Sequence, residues 1–283
     1  MLPNARMNQR CLNKDNSYHP MSAFYSASIV RRSWILCLLL VSANIAHSQN
    51  VIAWGDGSQG QTNVPPSATN VLTVAAGASH SLVLQGDGSV IAWGDNSFGQ
   101  TNVPNNATNV VAIAAGDYHS LALRADGLLL AWGRNDFGQT NVPIAATNII
   151  SIAAGMGHSV AVRSDGVIVA WGNDYEHETD VPGLFSTVIT VASGCYHTLA
   201  LLSDHTVVSW GLLDSVPSSA TNVVAIATGF EHNLALKADG TVLAWGDNTF
   251  GQTNVPASAT NIVAIAAGYD HSMALRSDGV LIT

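Results

Sequence analysis

Short runs of hydrophobic residues alternate with polar turns along most of this chain, from residue 51 to residue 283. The runs are about four to seven residues long and rich in Val, Ile, Leu and Ala, which is too short for a typical helix. In five places an Asp-Gly pair separates two runs, at 87/88, 126/127, 165/166, 239/240 and 278/279. Since Gly adopts positive φ without steric cost, an Asp-Gly pair between hydrophobic runs predicts a β-hairpin.

Tryptophan and histidine mark the period of this pattern. Both recur at intervals of 39 residues, with one interval of 35 where GLLDSVP replaces a longer turn. The positions are Trp54, Trp93, Trp132, Trp171, Trp210 and Trp245, and His80, His119, His158, His197, His232 and His271. Each unit carries three hydrophobic runs and a weaker fourth at QTNVP. The pattern therefore predicts an all-β protein of six units, each a four-stranded antiparallel blade.

Stacking such blades around an axis predicts a β-propeller, because one blade cannot cover both of its faces. The small residues Ala114, Ala115 and Gly116 suit the strand nearest the axis. Trp132 suits a later strand, where diverging blades leave a wider gap. A β-sandwich is the alternative architecture, but it does not account for so regular a period.

The number of blades depends on two segments that compete for one strand position. Residues 51–55 could complete the blade begun by residues 262–276, yet the chain continues into residues 280–283 at the same point of the repeat. The ring is therefore either closed with six blades and a redundant tail, or a truncated seven-bladed propeller with an open gap. We favour the second, and we expect its open sheet edges to cause self-association.

Composition limits the partners of such a propeller. Hydrophobic residues make up 47% of the chain and charged residues only 10%, against a usual charged share of about 25%. From residue 49 onward there are 5 Lys and Arg but 18 Asp and Glu. Nucleic acid is a poor partner for this surface, since phosphate binding requires clustered Lys and Arg.

The N-terminal residues have the pattern of an export signal. Arg31 and Arg32 precede a hydrophobic run at 34–41, and small residues at 46 and 48 suit cleavage before Gln49. The run is well short of the roughly 20 residues that a membrane-spanning helix needs. We therefore predict an N-terminal extension with a cleavable signal peptide at 1–48 and a propeller at 49–283, with no membrane span after cleavage. The protein would be secreted or held at the cell surface. A buried N-terminal helix is the alternative.

The repeated polar residues are candidates for chemistry, but each has a structural interpretation. Six histidines at equivalent positions around a channel are too far apart to share a metal ion, whose ligands lie at about 2.1 Å. We expect each histidine to hydrogen-bond the backbone of its own blade. Each Asp of an Asp-Gly turn should accept local backbone N–H groups. The hairpin that carries Asp204 and His205 instead should be looser.

One turn is unusually acidic. Where other units have residues such as NSFGQTN, this turn carries Asp174, Tyr175, Glu176, His177, Glu178 and Asp180. Carboxylate oxygens suit calcium, but the spacing is not that of a calcium-binding loop, so we favour a solvated acidic loop. The chain also lacks catalytic motifs such as G-x-S-x-G and H-E-x-x-H. We therefore predict no enzymatic activity, no cofactor and no metal.

Two residues that precede each histidine differ in every unit, and we call them the doublets: Ala78-Ser79, Asp117-Tyr118, Met156-Gly157, Cys195-Tyr196, Phe230-Glu231 and Tyr269-Asp270. A position with a fixed packing role should recur with its scaffold, so we expect the doublets to face solvent on one rim. Aromatic residues dominate interface hot spots, and the candidate contact residues are Asp117, Tyr118, Met156, Tyr196, Phe230, Glu231, Tyr269 and Asp270. Neutral drift is the alternative explanation. A second candidate rim consists of Phe98, Phe137 and Phe250, but these recur identically, which favours packing between blades.

Units such as AAGDYHSLALRADG, followed by AWG and FGQT, resemble the repeats of the regulator of chromosome condensation family. The resemblance covers residues 51–283 and implies a propeller, which has seven blades in that family. In the style of its repeats, as in VIAWGDNSFGQTNVP, the chain is closer still to the propeller-type β-lactamase inhibitory proteins, which are secreted and bacterial. Those proteins place aromatic residues of the doublet against their enzyme partner.

Two classes of function follow from these features. In the first, the protein is a secreted binding module whose doublet rim contacts a protein or a cell-surface polymer. In the second, it is a structural or surface-display array, or part of a longer extracellular protein, whose repeats only space or adhere. Inhibition of a β-lactamase is a minor alternative that rests on the resemblance alone. Nucleotide exchange on a small GTPase is opposed by the export signal and the acidic surface.

Overall fold

The fold was analysed in a computed structural model that describes residues 51–183, 187–213 and 215–283. The predicted signal peptide and the domain boundary at residue 48 lie outside these residues. Within them the regular structure is β-strand, and no helix is long and apolar enough to cross a membrane. The predicted all-β class is confirmed.

Eighteen strands of the described chain form six sheets, each with three consecutive antiparallel strands. Sheets 1 to 3 contain β1 (Val71–Ala76), β2 (His80–Gln85) and β3 (Val90–Gly94); β4 (Val110–Ala115), β5 (His119–Arg124) and β6 (Leu129–Gly133); and β7 (Ile149–Ala154), β8 (His158–Arg163) and β9 (Ile168–Gly172). Sheets 4 to 6 contain β10 (Val188–Ser193), β11 (His197–Leu202) and β12 (Val207–Gly211); β13 (Val223–Thr228), β14 (His232–Lys237) and β15 (Val242–Gly246); and β16 (Ile262–Ala267), β17 (Ser272–Arg276) and β18 (Leu281–Ile282).

The fourth strand predicted at QTNVP is not found. This segment belongs to the connection between two sheets, and the backbone N–H groups of the connection are hydrogen-bonded within turns. After β3, the Asp95 carboxylate accepts the Ser97 N–H group at 3.0 Å, and the Gln100 side-chain oxygen accepts the Phe98 N–H group at 2.9 Å. The Asn96 side-chain oxygen accepts the Thr101 N–H group at 3.0 Å. Inside QTNVP itself, the Asn102 N–H group donates to the Gly99 carbonyl oxygen and the Val103 N–H group donates to the Thr101 carbonyl oxygen, both at 3.0 Å. N–H groups that are satisfied within the turn are not available to a neighbouring strand. The prediction of four-stranded blades is therefore replaced by three strands and an ordered connection.

The hydrophobic core lies between the sheets. Leu82 and Leu84 of sheet 1 share a buried cluster with Val110, Ile113 and Trp132 of sheet 2. The next junction repeats the arrangement with the equivalent residues of sheets 2 and 3. Alternate residues of the central strand thus face the next sheet, and those between them face the preceding sheet. The tryptophans of β6, β9 and β12 are buried between sheets, as the sequence predicted, whereas Trp93 of β3 is buried among residues of sheet 1 and of the segment that precedes it.

The two end sheets each leave one face uncovered. Val74 of β1 is 51% exposed, whereas its equivalent Ile113 in β4 is 3% exposed. Leu275 of β17 is 38% exposed, whereas its equivalent Leu123 in β5 is 3% exposed. Leu281–Ile282 forms the outer strand of sheet 6, while residues 51–55 form no strand and lie beside sheet 1. The described chain is thus a stack of six sheets with two free faces, and the closed six-bladed alternative is not seen.

Candidate binding rim

A buried hydrogen-bond relay joins each sheet to the next. His119 Nε2 lies 2.9 Å from Ser159 Oγ of the next sheet, and the Ser159 hydroxyl donates to the Gln139 carbonyl oxygen at 2.9 Å. The same contact recurs at His80–Ser120, His158–Thr198, His197–Asn233 and His232–Ser272. The histidines are therefore structural, but their partners belong to the neighbouring sheet. The prediction that each would bond its own blade's backbone is wrong.

Burial fixes the protonation state of these histidines. Loss of solvent lowers the pKa of His119 and His158 to about 3 and that of His80, His197 and His232 to about 4. The rings are neutral at pH 7, and because Ser159 donates its proton to a carbonyl, His119 donates through Nε2. Its Nδ1 has no hydrogen-bond partner among the described residues, an arrangement that His158 and His197 share.

Glycine is required beside each of these rings. A Cβ atom added to Gly116 would lie 2.3 Å from His119 Cε1 and 2.4 Å from the Gly155 carbonyl oxygen of the next sheet. Gly155 and Gly194 are confined in the same way. The inner ends of the sheets can approach this closely only where no side chain intervenes.

The tryptophans bond the connection that precedes their own sheet. Trp132 Nε1 donates to the Gln100 carbonyl oxygen at 2.9 Å, and Ser120 Oγ donates to the same oxygen at 2.9 Å. Trp245 is the exception, and its Nε1 has no acceptor among the described residues. The connection that precedes its sheet is the short GLLDSVP segment, which lacks the glutamine position.

The acidic turn copies the neutral turns. Glu178 is buried at the repeat position of Gln100. Its carboxylate accepts the Glu176 N–H group at 2.7 Å and the Asn173 side-chain amide at 2.6 Å. Its backbone carbonyl oxygen accepts Trp210 Nε1–H at 2.8 Å. Burial raises the pKa of the Glu178 carboxyl. The expectation of a fully solvated loop is wrong for this residue. Within the described ranges, no three His, Cys, Asp or Glu side chains are grouped so as to hold a metal ion.

The Asp-containing hairpin turns form as predicted. Asp126 accepts the Leu128 N–H group at 3.2 Å, and equivalent bonds occur in the other sheets. Asp204 likewise accepts the Thr206 N–H group at 3.0 Å. His205 takes the glycine-like φ of 65°, and its Nδ1 lies 2.9 Å from the Val223 carbonyl oxygen. This turn has the bonds of the others and one more, so the expected loosening is not seen.

The doublets lie where neighbouring sheets meet, and their first residues contact one another. Met156 Sδ lies 3.4 Å from Cys195 Sγ, and the Phe230 and Tyr269 rings stack with centroids 3.9 Å apart. The Phe230 N–H group also donates to the Tyr269 carbonyl oxygen at 3.2 Å. Met156, Phe230 and Tyr269 are partly exposed, as a binding surface requires.

Five doublet residues are less accessible than the sequence suggested. The buried ones are Ala78, Asp117, Gly157, Cys195 and Tyr196, so the prediction that every doublet faces solvent is wrong in the first four units. Both positions of the fourth doublet are covered because the equivalents on either side pack against it, as Met156 does against Cys195. Tyr118, Glu231 and Asp270 keep partial exposure and stay on the candidate rim.

An aromatic cluster around one arginine extends this rim. The Arg134 guanidinium carbon lies 4.8 Å from the Phe98 ring centroid, 5.6 Å from that of Tyr118 and 5.9 Å from that of Phe137. Phe98 packs edge-on against Tyr118 with centroids 5.4 Å apart. Asp136 accepts Arg134 Nε at 2.6 Å. We call Phe98, Tyr118, Arg134 and Phe137 the arginine cluster.

Exposure corrects the earlier interpretation of the recurring phenylalanines. Phe98 is 43% exposed and Phe137 is 50% exposed, and Phe250 is exposed as well. They do not fill the space between sheets, and Phe98 shares one rim with the doublet residue Tyr118. Arg134 was missed altogether. Its signal in the sequence is that the other complete turns begin with Asp or Asn at this position, at Asp95, Asn173 and Asp247.

The rim is acidic at the far end of the stack. Partial burial raises the pKa of the Glu231 and Asp270 carboxyls, and the Asp247 carboxylate adds to both shifts by repulsion. Glu231 and Asp270 belong to the doublets that carry the stacked Phe230 and Tyr269 rings. The rim therefore presents a cation among aromatic rings at sheets 2 and 3, and carboxylates beside aromatic rings at sheets 5 and 6.

The repeat itself matches a known family. Residues 71–100, 110–139, 149–178 and 223–252 match the model of the regulator of chromosome condensation (RCC1) repeat. Four of the six units are RCC1 repeats. Each matched repeat begins with the first strand of a sheet and ends at Gln100, Gln139, Glu178 or Gln252, where the carbonyl oxygen accepts bonds from the following sheet.

Solved structures share the RCC1-repeat fold at low sequence identity. Prp20p from Saccharomyces cerevisiae is 23% identical, with 77% of this chain and 72% of that chain covered and a TM-score of 0.63. Yeast RCC1 (Prp20) bound to Kap60 is 21% identical, with coverage of 89% and 85% and a TM-score of 0.66. Human WBSCR16 is 24% identical, with coverage of 73% and 72% and a TM-score of 0.62.

These likenesses concern the fold alone. A search of curated protein sequences found no match to the chain. Nothing in the comparisons supports the likeness to the β-lactamase inhibitory proteins.

Proposed function

We propose that this chain is a secreted, non-enzymatic binding module that captures a protein or cell-surface polymer on the rim around the arginine cluster. The observation that carries the proposal is the exposed cluster itself. Three aromatic rings surround the Arg134 guanidinium, and two of them, Phe98 and Phe137, stay about half exposed. Aromatic residues and arginine are the residue types that dominate binding hot spots.

The cluster is ordered before any partner arrives. Cation–π contacts and the ion pair with Asp136 hold Arg134 in one position, and the edge-on contact with Tyr118 holds Phe98. Side chains that are already immobilised lose little conformational entropy on binding. A partner that covers the two phenylalanines therefore gains hydrophobic burial at low entropic cost.

The charge of the chain favours some partners over others. Acidic residues outnumber basic ones from residue 49 onward, which supports a partner that is neutral or basic and opposes nucleic acid. The family supports a protein partner in general terms, since the Prp20p structure was described with its binding to Gsp1p and histones, and yeast RCC1 was solved bound to Kap60. We extend to this chain protein binding in general, and none of those partners.

Binding to an immobilised array of extracellular proteins and cell-surface polysaccharides tests the proposal. The chain is compared with Arg134→Ala and Phe137→Ala, and with Ile144→Ala as control. Ile144 is nearly fully exposed but lies in the connection after Pro143, outside the cluster. We expect at least about a tenfold loss of affinity for a specific ligand in both rim variants and none in the control.

The same experiment separates the binding module from a display array. A repeat array that only spaces or adheres has no single hot spot, so every variant would bind as the unmodified chain does. That result would refute the role of the rim. Tyr118→Ala, Phe230→Ala and Tyr269→Ala extend the scan along the rim, whereas Tyr196 is buried and its substitution would report stability instead.

A further inference from the structure

One hydrophobic position is exposed in every unit, namely the second residue of the first strand of each sheet. The six residues are Leu72, Val111, Ile150, Ile189, Val224 and Val263. The pairing of the first and second strands skips this residue, so it lies in a β-bulge. A bulge takes its extra residue out of the regular alternation of the strand. Even in the inner sheets, where both faces are covered, Val111 is 55% exposed and Ile189 is 37% exposed.

The bulge residues of neighbouring sheets lie at one end of the stack. The hydroxyl oxygens of the two residues that follow Ile150 and Ile189 are 3.1 Å apart, so the first strands run side by side there. The Asp-containing hairpins are at the same end, because the first residue of β4 pairs with the last residue of β5. In these hairpins Leu128 and Val167 add two more exposed aliphatic side chains. We call this end, opposite the doublet rim, the hairpin face.

Strand propensity does not account for the bulge residues. β-Branched residues favour strands, but Thr would serve as well as Val or Ile. The next position of the same strand holds Thr, Ser or Ala in every unit, so small or polar residues are accepted beside the bulge. At the bulge itself every unit keeps an aliphatic residue. A recurring exposed hydrophobic surface of this kind indicates a contact with another molecule.

The hairpin face is also where acidic and basic residues nearly balance. Four of the five basic residues from residue 49 onward end the second strand of their sheet at this face: Arg124, Arg163, Lys237 and Arg276. Six acidic residues occupy the hairpins: Asp87, Asp126, Asp165, Asp204, Asp239 and Asp278. The three arginines form ion pairs with their hairpin carboxylates at 2.7 to 2.8 Å. The other 12 of the 18 acidic residues share the rest of the chain with Arg134 alone.

We propose that the hairpin face binds the hairpin face of a second copy. Net charge of one sign keeps copies of a protein apart, and the hairpin face is the part of the described chain where this repulsion is smallest. Because its composition repeats, it is complementary to itself: aliphatic bulge residues of one copy meet those of the other, with the ion pairs around them. A contact between two identical surfaces is closed and stops at two copies.

The dimer leaves the doublet rims free on its two outer sides. It therefore presents two copies of the proposed binding rim at once, which increases the avidity for a repetitive ligand. A standard interface buries about 800 Å² on each partner, whereas exposed hydrophobic patches of single proteins reach about 300–600 Å². The hairpins must add to the contact, and we expect a dimer that forms with increasing concentration. The inference does not depend on which ligand the rim takes.

Sedimentation equilibrium over a range of concentrations tests the contact. The unmodified chain is compared with one variant that carries Val111→Thr, Ile150→Thr, Ile189→Thr and Val224→Thr. Thr keeps the branched shape and suits a strand, so the variant should fold, which urea unfolding verifies. The control is Tyr175→Thr, which removes an exposed side chain from the turn that follows β9, on the doublet side.

We expect the mass of the unmodified chain and of the control to rise from one copy to two and then stay level. The fourfold Thr variant should need at least about tenfold more protein to form the dimer, because it removes buried aliphatic groups from the contact. A chain that stays monomeric, or a Thr variant that associates as the unmodified chain does, would overturn the proposal. Growth beyond two copies that the Thr variant shares would assign association to the free sheet faces and overturn it as well.

Energy transfer between labelled copies locates the contact without altering the bulge residues. Donor and acceptor dyes are attached to Ser164→Cys, an exposed position in the hairpin of sheet 3, or to Ser97→Cys, an exposed position in the turn after β3 on the doublet side. We expect transfer between copies for the first pair and much less for the second. Stronger transfer from Ser97→Cys would place the contact at the other end and contradict the proposal.

Flotation with vesicles of neutral phosphatidylcholine tests the other occupant that an aliphatic surface could take. We expect the unmodified chain to stay with the unbound protein. If it floats with the vesicles while remaining monomeric, and the fourfold Thr variant does not float, the hairpin face binds lipid and the second copy is excluded.

Discussion

Tyr118 and His119 are adjacent in the chain, but they belong to regions that use the repeat in different ways. His119 reaches Ser159 of the next sheet, and the same contact recurs with small changes at five junctions. Tyr118 instead contacts Phe98 and Arg134, a combination found at one place on the rim. A residue whose partner lies in the next repeat must stay constant, because both members of the contact are copied together. A rim residue has no such constraint, and that is where one repeat can differ from another.

The relay histidines and the rim should differ most in how they change the free energy of unfolding in acid. The five relay histidines have their pKa lowered to about 3 or 4, so they stay neutral in the folded chain while the unfolded chain binds protons below pH 6.5. Stability is fully present above pH 6.5 and is lost as the pH falls toward 4. Each histidine then contributes a loss of about 1.4 kcal/mol per pH unit. Urea unfolding at pH 7.5, 6 and 5 measures this loss.

The rim carboxyls act in the opposite direction. Glu231 and Asp270 have a raised pKa, so in acid they bind protons more readily in the folded chain and offset a small part of the loss. A free energy of unfolding that stays level or rises between pH 6.5 and 5 would show that the relay histidines are not buried and neutral.

The second-largest loss of stability should come from a substitution where two sheets meet. Gly116→Ala puts a methyl group within 2.4 Å of both His119 and the next sheet, and we expect a loss of about 3 kcal/mol or more in the free energy of unfolding. Gly183→Ala is the control, because Gly183 has a φ of 60° and no atom of the described residues lies within 4 Å of its added Cβ. The control should lose only about 1 kcal/mol from backbone strain. Equal losses would mean that the sheets do not approach as closely as described.

Two tryptophans at equivalent positions test the hydrogen bond to the preceding turn. Trp132→Phe removes the N–H donor to the Gln100 carbonyl and should cost about 1 to 2 kcal/mol more than Trp245→Phe, whose indole N–H has no acceptor in the described chain. Trp132 is buried and Trp245 is partly exposed, so the difference reports the hydrogen bond together with the deeper burial of Trp132. Chemical denaturation of the two variants measures it, and identical losses would contradict the role given to the Gln100 carbonyl.

The rim should show the smallest effect on stability. Phe137→Ala removes a half-exposed ring, whereas Arg134→Ala removes a side chain that is 20% exposed and held by an ion pair and cation–π contacts. We expect the free energy of unfolding to change by no more than about 0.5 kcal/mol in the first and about 1 kcal/mol in the second. Thermal unfolding of the two variants provides the measurement. A larger loss would place the arginine cluster among the structural contacts, and the binding defect expected on the array would then have to be reassigned to misfolding.

The period of the sequence predicted the scaffold well because the relevant contacts are local or copied with the repeat. The Asp-Gly turns depend on neighbours two residues away, and the buried tryptophans depend on a junction that recurs. A fourth strand was predicted at QTNVP from its weak hydrophobic pattern and its place in the repeat. The structure has turns there instead, because the N–H groups of Thr101, Asn102 and Val103 all donate to acceptors of their own turn.

The rim was only partly predictable. Variation between units correctly drew attention to Tyr118, Phe230 and Tyr269, but variation does not measure accessibility, and Tyr196 is buried beneath its neighbours. Recurrence misled in the opposite direction for Phe98 and Phe137, which repeat and are nevertheless exposed. A recurring residue can be held by its own turn and need not be covered by the next sheet.

The sequence by itself determined the class of the fold, the number of units and the residues that every unit must keep. Residues that each unit needs recur at the interval of the repeat and can be recognised from it. The tertiary structure decided which sheet each relay histidine bonds, which doublets are covered and which two faces are left open. These properties depend on the distance between sheets, and the repeat is the same whether or not a neighbour is present. Val74 and Ile113 occupy equivalent positions in the repeat, and only the presence of a preceding sheet makes one exposed and the other buried.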